Sequence, residues 1–216
     1  MKFKTNFNFV LVSFAIAIAL VVAVALWFLR SPYSSIIPTH SSQIITEPGQ
    51  PSPKIVQSAR NQIGKTVHYD SAYSELKYPM GDVPIEKGVC TDVIIRALRD
   101  QNVDLQELIH HDMSRNFSVY PKRWGLRKPD TNIDHRRVPN LMTYFTRQGW
   151  AVKDTAYQAG DIVTWVLKGN RPHIGIVSDR KIGDRPLIIH NIGLGTSEDD
   201  ILYRYTITGH YRLPVQ

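Results

Sequence analysis

Apolar and polar positions along the chain fall into four regimes. Residues 9–29 are apolar throughout except for Ser13. Residues 31–53, SPYSSIIPTHSSQIITEPGQPSP, are polar and carry no period. From Lys54 to Gly149 apolar residues recur every three or four positions, the spacing that lays one stripe of a helix against a core. Beyond Gly149 the recurrence drops to two, the alternation of strands with one buried face.

Within the helical part, Ile55, Val56, Ala59 and Ile63 predict a short helix stopped by Gly64. Val93, Ile94, Ala97 and Leu98 predict a second in GVCTDVIIRALRDQ (residues 88–101), with Arg96, Arg99 and Asp100 mostly on its other side. Leu105, Leu108, Ile109, Met113 and Phe117 predict a third, carrying His110 and His111 as solvated side chains, since neighbours on a helix point 100° apart. Pro139 opens a fourth through Leu141, Met142, Tyr144 and Phe145, and Gly149 ends it. Short β-rich runs follow at Asp161–Leu167, His173–Val177, Leu187–His190 and Ile201–Ile207, with links short enough for antiparallel pairing. Helices first and an antiparallel sheet second make an α+β domain.

The run Phe9–Leu29 is long enough, at about 1.5 Å per residue, to span a hydrocarbon layer of roughly 30 Å. Lys2 and Lys4 before it and Arg30 after it point the N-terminus to the cytoplasm. Residues 1–30 are therefore read as an uncleaved signal anchor; a cleaved signal peptide at Ala23-Val24-Ala25 is the alternative, and both export the rest. Residues 31–53 read as a flexible tether, and residues 54–216 as one domain.

Charge adds little. Lys2, Lys4 and Arg30 are three of the 26 basic residues, so the net +7 falls to +4, 23 basic against 19 acidic, once they are set aside. No Lys/Arg block supports nucleic-acid binding, and an anionic wall polymer or membrane surface suits the excess as well.

Cysteine changes the picture more. Cys90 is the only one, which excludes an intramolecular disulfide in an exported chain. It opens the second predicted helix, where free N–H groups and the helix dipole favour a thiolate. A lone Cys is also often just a small buried hydrophobe. A base must come from elsewhere: His173 starts one predicted strand and His190 ends the next, and antiparallel neighbours bring such positions together. Cys90 as nucleophile, His173 as base and His190 as the group orienting it form a coherent Cys–His–His arrangement. Asp134, His135, Arg136 and Arg137 crowd four ionisable groups into a long loop, suited either to gripping a carboxylate or to pinning the loop internally. Tyr69, Tyr73 and Tyr78 are placed to line a groove beside the thiol or merely to pack.

GVCTD, AGDIVTW, HIGIV and the strand-end His together resemble the NlpC-type cell-wall cysteine peptidases of the papain-like superfamily. The resemblance covers roughly residues 55–195 and implies a papain-like α+β fold with Cys90, His173 and His190 as catalytic residues. Gly160-Asp161 matches the turn into the first core strand, and Tyr78 with Gly81 the residues upstream of the cysteine. Tyr78, Asp92 and Asn191, with Asp134–Arg137, are then the residues expected to line the substrate. Two departures stand out: Cys90 follows Val89 and precedes Thr91 and Asp92 where the family usually reads Asp-Cys-Ser/Thr-Gly, with Asp92 either raising the thiol pKa or holding Arg96; and the loop at Asp134–Arg137 is foreign to the common pattern. YPMGDVP, GVCTDVIIRA, TNIDHRRVPNL, HIGIVSD and IIHNIG together also resemble a bacterial family known as a domain of unknown function.

The expectation is a membrane-anchored periplasmic cysteine hydrolase cleaving an amide bond in peptidoglycan peptides. Its expected partners are a cell-wall peptide or other envelope amide and the inner membrane; no nucleic acid and no cofactor are expected, and the domain is read as a monomer. A metal hydrolase with Cys90, His173 and His190 as ligands competes with this, although no HExxH or paired CxxC supports it. So does a non-catalytic binding or scaffolding module on a peptidase-like fold.

Overall fold

The structure, a computed structural model, describes residues 44–46 and 52–214; the predicted signal anchor and most of the 31–53 tether lie outside the described residues. Among the described residues, no helix is long and apolar enough to cross a membrane.

The tether contributes one element: β1 (Ile44–Thr46) pairs antiparallel with the sheet, Ile44 opposite Ile182. Helix α1 (Lys54–Arg60) follows, burying Val56 and Ala59, and ends before Ile63, which is exposed. Two short strands, β2 (His68–Tyr69) and β3 (Lys87–Gly88), pair parallel and bracket an irregular segment. Then come α2 (Cys90–Arg99), α3 (Leu105–Asn116) and α4 (Val138–Arg147).

Helix α2 is the centre of the helical layer, and every residue of it except Arg99 is buried. Val93, Ile94, Ile95 and Leu98 each contribute about 2 kcal/mol by leaving water. Arg96, expected on the outer side, is interior as well. Its guanidinium donates to Asp82 at 2.8 and 3.1 Å, to the Val83 and Lys87 carbonyls at 3.1 and 3.0 Å, and to Thr66 Oγ1 at 2.9 Å. The irregular chain packed there has carbonyls that no ladder satisfies, and a five-donor side chain meets them.

The sheet comprises β4 (Ile162–Leu167), β5 (Arg171–Ile182), β6 (Arg185–Asn191), β7 (Thr196–Asp199) and β8 (Thr206–Tyr211) in the order β7-β6-β5-β4-β8, all neighbours antiparallel. Alternation divides its side chains. Ile162, Ile174, Ile176 and Ile189 join the helical core; Val163, Trp165, Leu167, Val177 and Ile188 form a second core with Ile201 and Leu202.

The strand expected at Ile201–Ile207 forms only from Thr206 onward. Ile201 and Leu202 are consecutive and both buried, a demand that alternation cannot meet; they sit in a turn, and Trp165 Nε1 donates to the Leu202 carbonyl at 2.9 Å. Strand β8 begins only at Thr206 and returns beside β4, while β7, polar throughout, takes the edge beside β6.

Candidate active site

Helix α2 brings Cys90 to the sheet end-on. The ladder between β5 and β6 pairs Ile176 with Ile189 and goes no further towards Ile174. The Ile174 amide beyond it faces the Cys90 sulfur, as do the first-turn amides of Thr91 and Cys90 itself. Asn191, at the end of β6, closes the same corner: its Nδ2 donates to the Gly88 carbonyl at 3.2 Å, two residues before the cysteine.

Asp92 settles the start of the helix. Its Oδ2 accepts from the Val89 amide at 2.7 Å, a capping bond, and both carboxylate oxygens accept from Arg136, Nε and Nη2, at 2.9 Å each. Both expected roles are taken up in part: the carboxylate holds an arginine, Arg136 rather than Arg96, and its charge adds to the rise of the thiol. Thr91 Oγ1 adds a bond of 3.0 Å to the Arg136 carbonyl.

On the strands, His173 Nε2 lies 3.0 Å from His190 Nδ1, and His190 Nε2 lies 3.2 Å from Asp199 Oδ2. Both imidazoles are buried. The chain of partners fixes the hydrogens. A carboxylate only accepts, so His190 carries its hydrogen on Nε2 and offers a lone pair at Nδ1. His173 then donates from Nε2, which leaves its Nδ1 lone pair as the basic position. Gly175 makes room for this, because a Cβ there would come within 2.5 Å of Ile188 Cγ2 and 3.2 Å of His190 Cβ. Asp199, on a strand too polar to be expected, was not foreseen.

At rest Cys90 and His173 are both neutral. Burial pushes the Cys90 thiol up to about 12 against the pull of the Ile174 amide, and Asp92 adds to the rise. The helix terminus does not lower it as expected, because desolvation outweighs the dipole. Burial, His190 and Arg171 together take His173 down to about 3. Among the described residues, no hydrogen bond joins the sulfur to either imidazole: the His173 ring packs on Trp165, at 5.9 Å between centroids, and Cys90 packs with Ile174. Nor is any group of three His, Cys, Asp or Glu side chains among these residues arranged to hold a metal ion.

The remaining expected residues divide. Tyr69, half-exposed, lies in the field of Cys90 and is raised to about 12 by burial first and that thiol second. Tyr78 packs edge-on against His110 at 5.3 Å. Asp134, His135 and Arg136 are buried; Arg136 is taken up by Asp92 and Asp134 accepts from the Asp130 amide at 2.6 Å, so these two pin the loop from within, while His135 Nδ1 has no hydrogen-bond partner among the described residues. Arg137 is only partly buried; its guanidinium stacks on the exposed Trp124 at 4.3 Å and lies 3.5 Å from Asp134. Asp161 anchors the Gly-Asp turn through bonds of 2.6 Å to His210 and 2.7 Å to Arg212.

These elements fall within residues 56–213, which match a family described as Domain of unknown function (DUF1287). Over 163 residues the chain is 55% identical to Uncharacterized protein YijF of Escherichia coli (strain K12), covering 73% of this chain and 80% of that protein. The chain belongs to the DUF1287 family.

Proposed function

We propose that the protein is a thiol-dependent hydrolase of an amide bond in cell-wall peptides, anchored to the inner membrane by residues 1–30 and working in the periplasm. The observation that carries this reading is the one-directional chain Asp199–His190–His173, which leaves a lone pair on His173, the residue preceding the Ile174 whose amide faces Cys90. The order of elements, a Cys at a helix start, a Gly-Asp turn, then a His on each of two strands, supports an NlpC-like assignment.

In this mechanism His173 Nδ1 takes the thiol proton as the sulfur attacks the carbonyl carbon. First-turn amides of α2 stabilise the oxyanion. His173 then protonates the departing amine, leaving a thioester, and water attacks that thioester with His173 again as base. His190 and Asp199 hold the imidazole and stabilise its charged form. Exposed Tyr69 and partly buried Arg137 are the candidates for contact with substrate.

The test is mass spectrometry of purified muropeptides incubated with the full-length protein. Cleavage by the parent, lost in Cys90→Ala and His173→Ala proteins of unchanged circular dichroism, is the expected result; equal cleavage by those variants ends the mechanism. A second reading, a non-catalytic envelope-binding module, is favoured by the buried neutral thiol with no imidazole bonded to it. An electrophilic thiol probe separates the two: labelling that disappears in His173→Ala argues against an inert pocket.

A further inference from the structure

A groove of about 790 Å³ opens between the β4–β5 hairpin and residues 203–206. Its walls include Lys168, Arg171, Arg204, Tyr203, Tyr205 and Ile192, and no carboxylate lines it. The hairpin that carries two of the cations is held in shape. Gly169 and Asn170 take positive φ of 74° and 57°, the paired left-handed geometry that matches strand twist, and Arg171 Nε donates to the Lys168 carbonyl at 3.2 Å. Lys168, first residue of the three-residue loop, and Arg171, first residue of β5, thus stand on either side of Gly169 and Asn170. Across the groove, the Arg204 guanidinium rests on the Tyr205 ring at 5.7 Å, and Tyr203 is exposed. Among the described residues, none of the three cations makes a salt bridge, whereas most arginines of the domain do.

The groove adjoins the catalytic elements. Arg171 is two residues from His173 on β5 and is felt by both that imidazole and Tyr69, which itself lies in the field of Cys90. Arg204 is felt by Asp199 at the other end of the histidine chain. Ile192 directly follows Asn191, the residue bonded to Gly88. Unpaired cations in a concave, tyrosine-walled groove suit an extended anionic chain rather than a flat lipid surface.

We infer that this groove binds free carboxylates of the cell-wall peptide whose amide Cys90 attacks, so that the substrate is an anionic stem peptide held by Lys168, Arg171 and Arg204. This rests on the hydrolase reading above. The groove sets which bond is presented, since a carboxylate fixed at Arg171 places the neighbouring amide towards the sulfur.

The experiment titrates full-length Cys90→Ala protein with a disaccharide-tetrapeptide muropeptide, with the same compound after amidation of its carboxyls, and with phosphatidylglycerol vesicles. Screened charge pairs of this kind predict affinity about tenfold weaker for the amidated form, a similar loss in the Lys168→Gln, Arg171→Gln, Arg204→Gln triple variant, and weakening by salt. Equal binding of the amidated form, unchanged binding by the triple variant, preference for vesicles or no binding at all each overturn the inference. The two readings fail separately. Charge-dependent binding without cleavage by the parent removes the hydrolase and leaves the groove; cleavage with an unchanged KM in the triple variant removes the groove and leaves the hydrolase.

Discussion

Asp92 and Arg136 meet in the interior through two hydrogen bonds of 2.9 Å, with side chains only 3% and 2% exposed. This pair joins the first turn of α2, where Cys90 sits, to the loop that leads into α4. Removing one partner strands the other charge away from water, at a cost of about 3–5 kcal/mol. Arg136→Met is therefore expected to lower the urea midpoint sharply, and Asp92→Asn with Arg136→Met to recover part of the loss. A single variant as stable as the parent would remove the pair from the account of how Cys90 is held.

Asp199 is expected to act on rate through tautomer rather than through stability. It is half-exposed, so Asp199→Asn leaves the fold intact, but an amide can donate to His190 Nε2 and reverse the hydrogen order along the chain. The Nδ1 lone pair of His173 then no longer follows. Muropeptide cleavage should fall by about tenfold to a hundredfold in kcat with KM little changed, a smaller loss than the roughly 10²–10⁴ of His173→Ala. An unchanged kcat, with an unchanged pH profile, would confine Asp199 to a structural part.

Periodicity made most of the architecture legible, for a physical reason. Val93, Ile94 and Leu98 are buried because a helix stripe faces the sheet, and the closeness of His173 and His190 follows from two strands that run antiparallel. What escaped was set by tertiary surroundings. Arg96 looks like a surface charge in the sequence, yet it is interior because irregular chain needs its donors, and for Arg136 only the structure decides between the two readings, since its partner Asp92 lies 44 positions away. Asp199 escaped because Thr196–Asp199 has no apolar alternation: it is an edge strand, held by its ladder to β6. The thiol's proton affinity was misjudged because the dipole is visible in the sequence and the burial is not.

Cys90 should alkylate slowly. Only the thiolate reacts with iodoacetamide, and a thiol raised to about 12 by burial supplies little of it at neutral pH. The rate is expected to climb with pH through 9 without a plateau below it. A plateau between pH 5 and 7 would instead show a preformed thiolate and contradict the neutral resting thiol.

Gly175 is expected to tolerate no side chain. The 2.5 Å approach to Ile188 forces β5 and β6 apart or turns His190, with overpacking costs of about 1–3 kcal/mol. Gly175→Ala should lower the thermal midpoint and, by shifting His190, reduce cleavage further than the stability loss explains. Gly183, at the β5–β6 turn with open space around its Cβ position, provides no comparable steric clash, although its positive φ of 58° leaves some backbone strain on substitution.

Acid should unfold the domain through its buried histidines. His173 and His135 are each held neutral to about 3, chiefly by burial, against an ordinary 6.5. Between those values the unfolded chain binds a proton that the folded chain refuses, so the stability they contribute is present above pH 6.5 and is lost as pH falls. Each removes about 1.4 kcal/mol per pH unit across that window. Asp134 works the other way: burial raises it to about 6 from 3.8, so the folded chain keeps a proton that the unfolded chain releases, and one histidine is offset between those values. Urea midpoints at pH 7, 6, 5 and 4 should therefore fall throughout. His135→Leu should flatten the curve by one proton. A parent curve that is level from pH 7 to 5 would mean that these imidazoles reach water in the folded state, and the fixed hydrogen order from Asp199 to His173 would go with them.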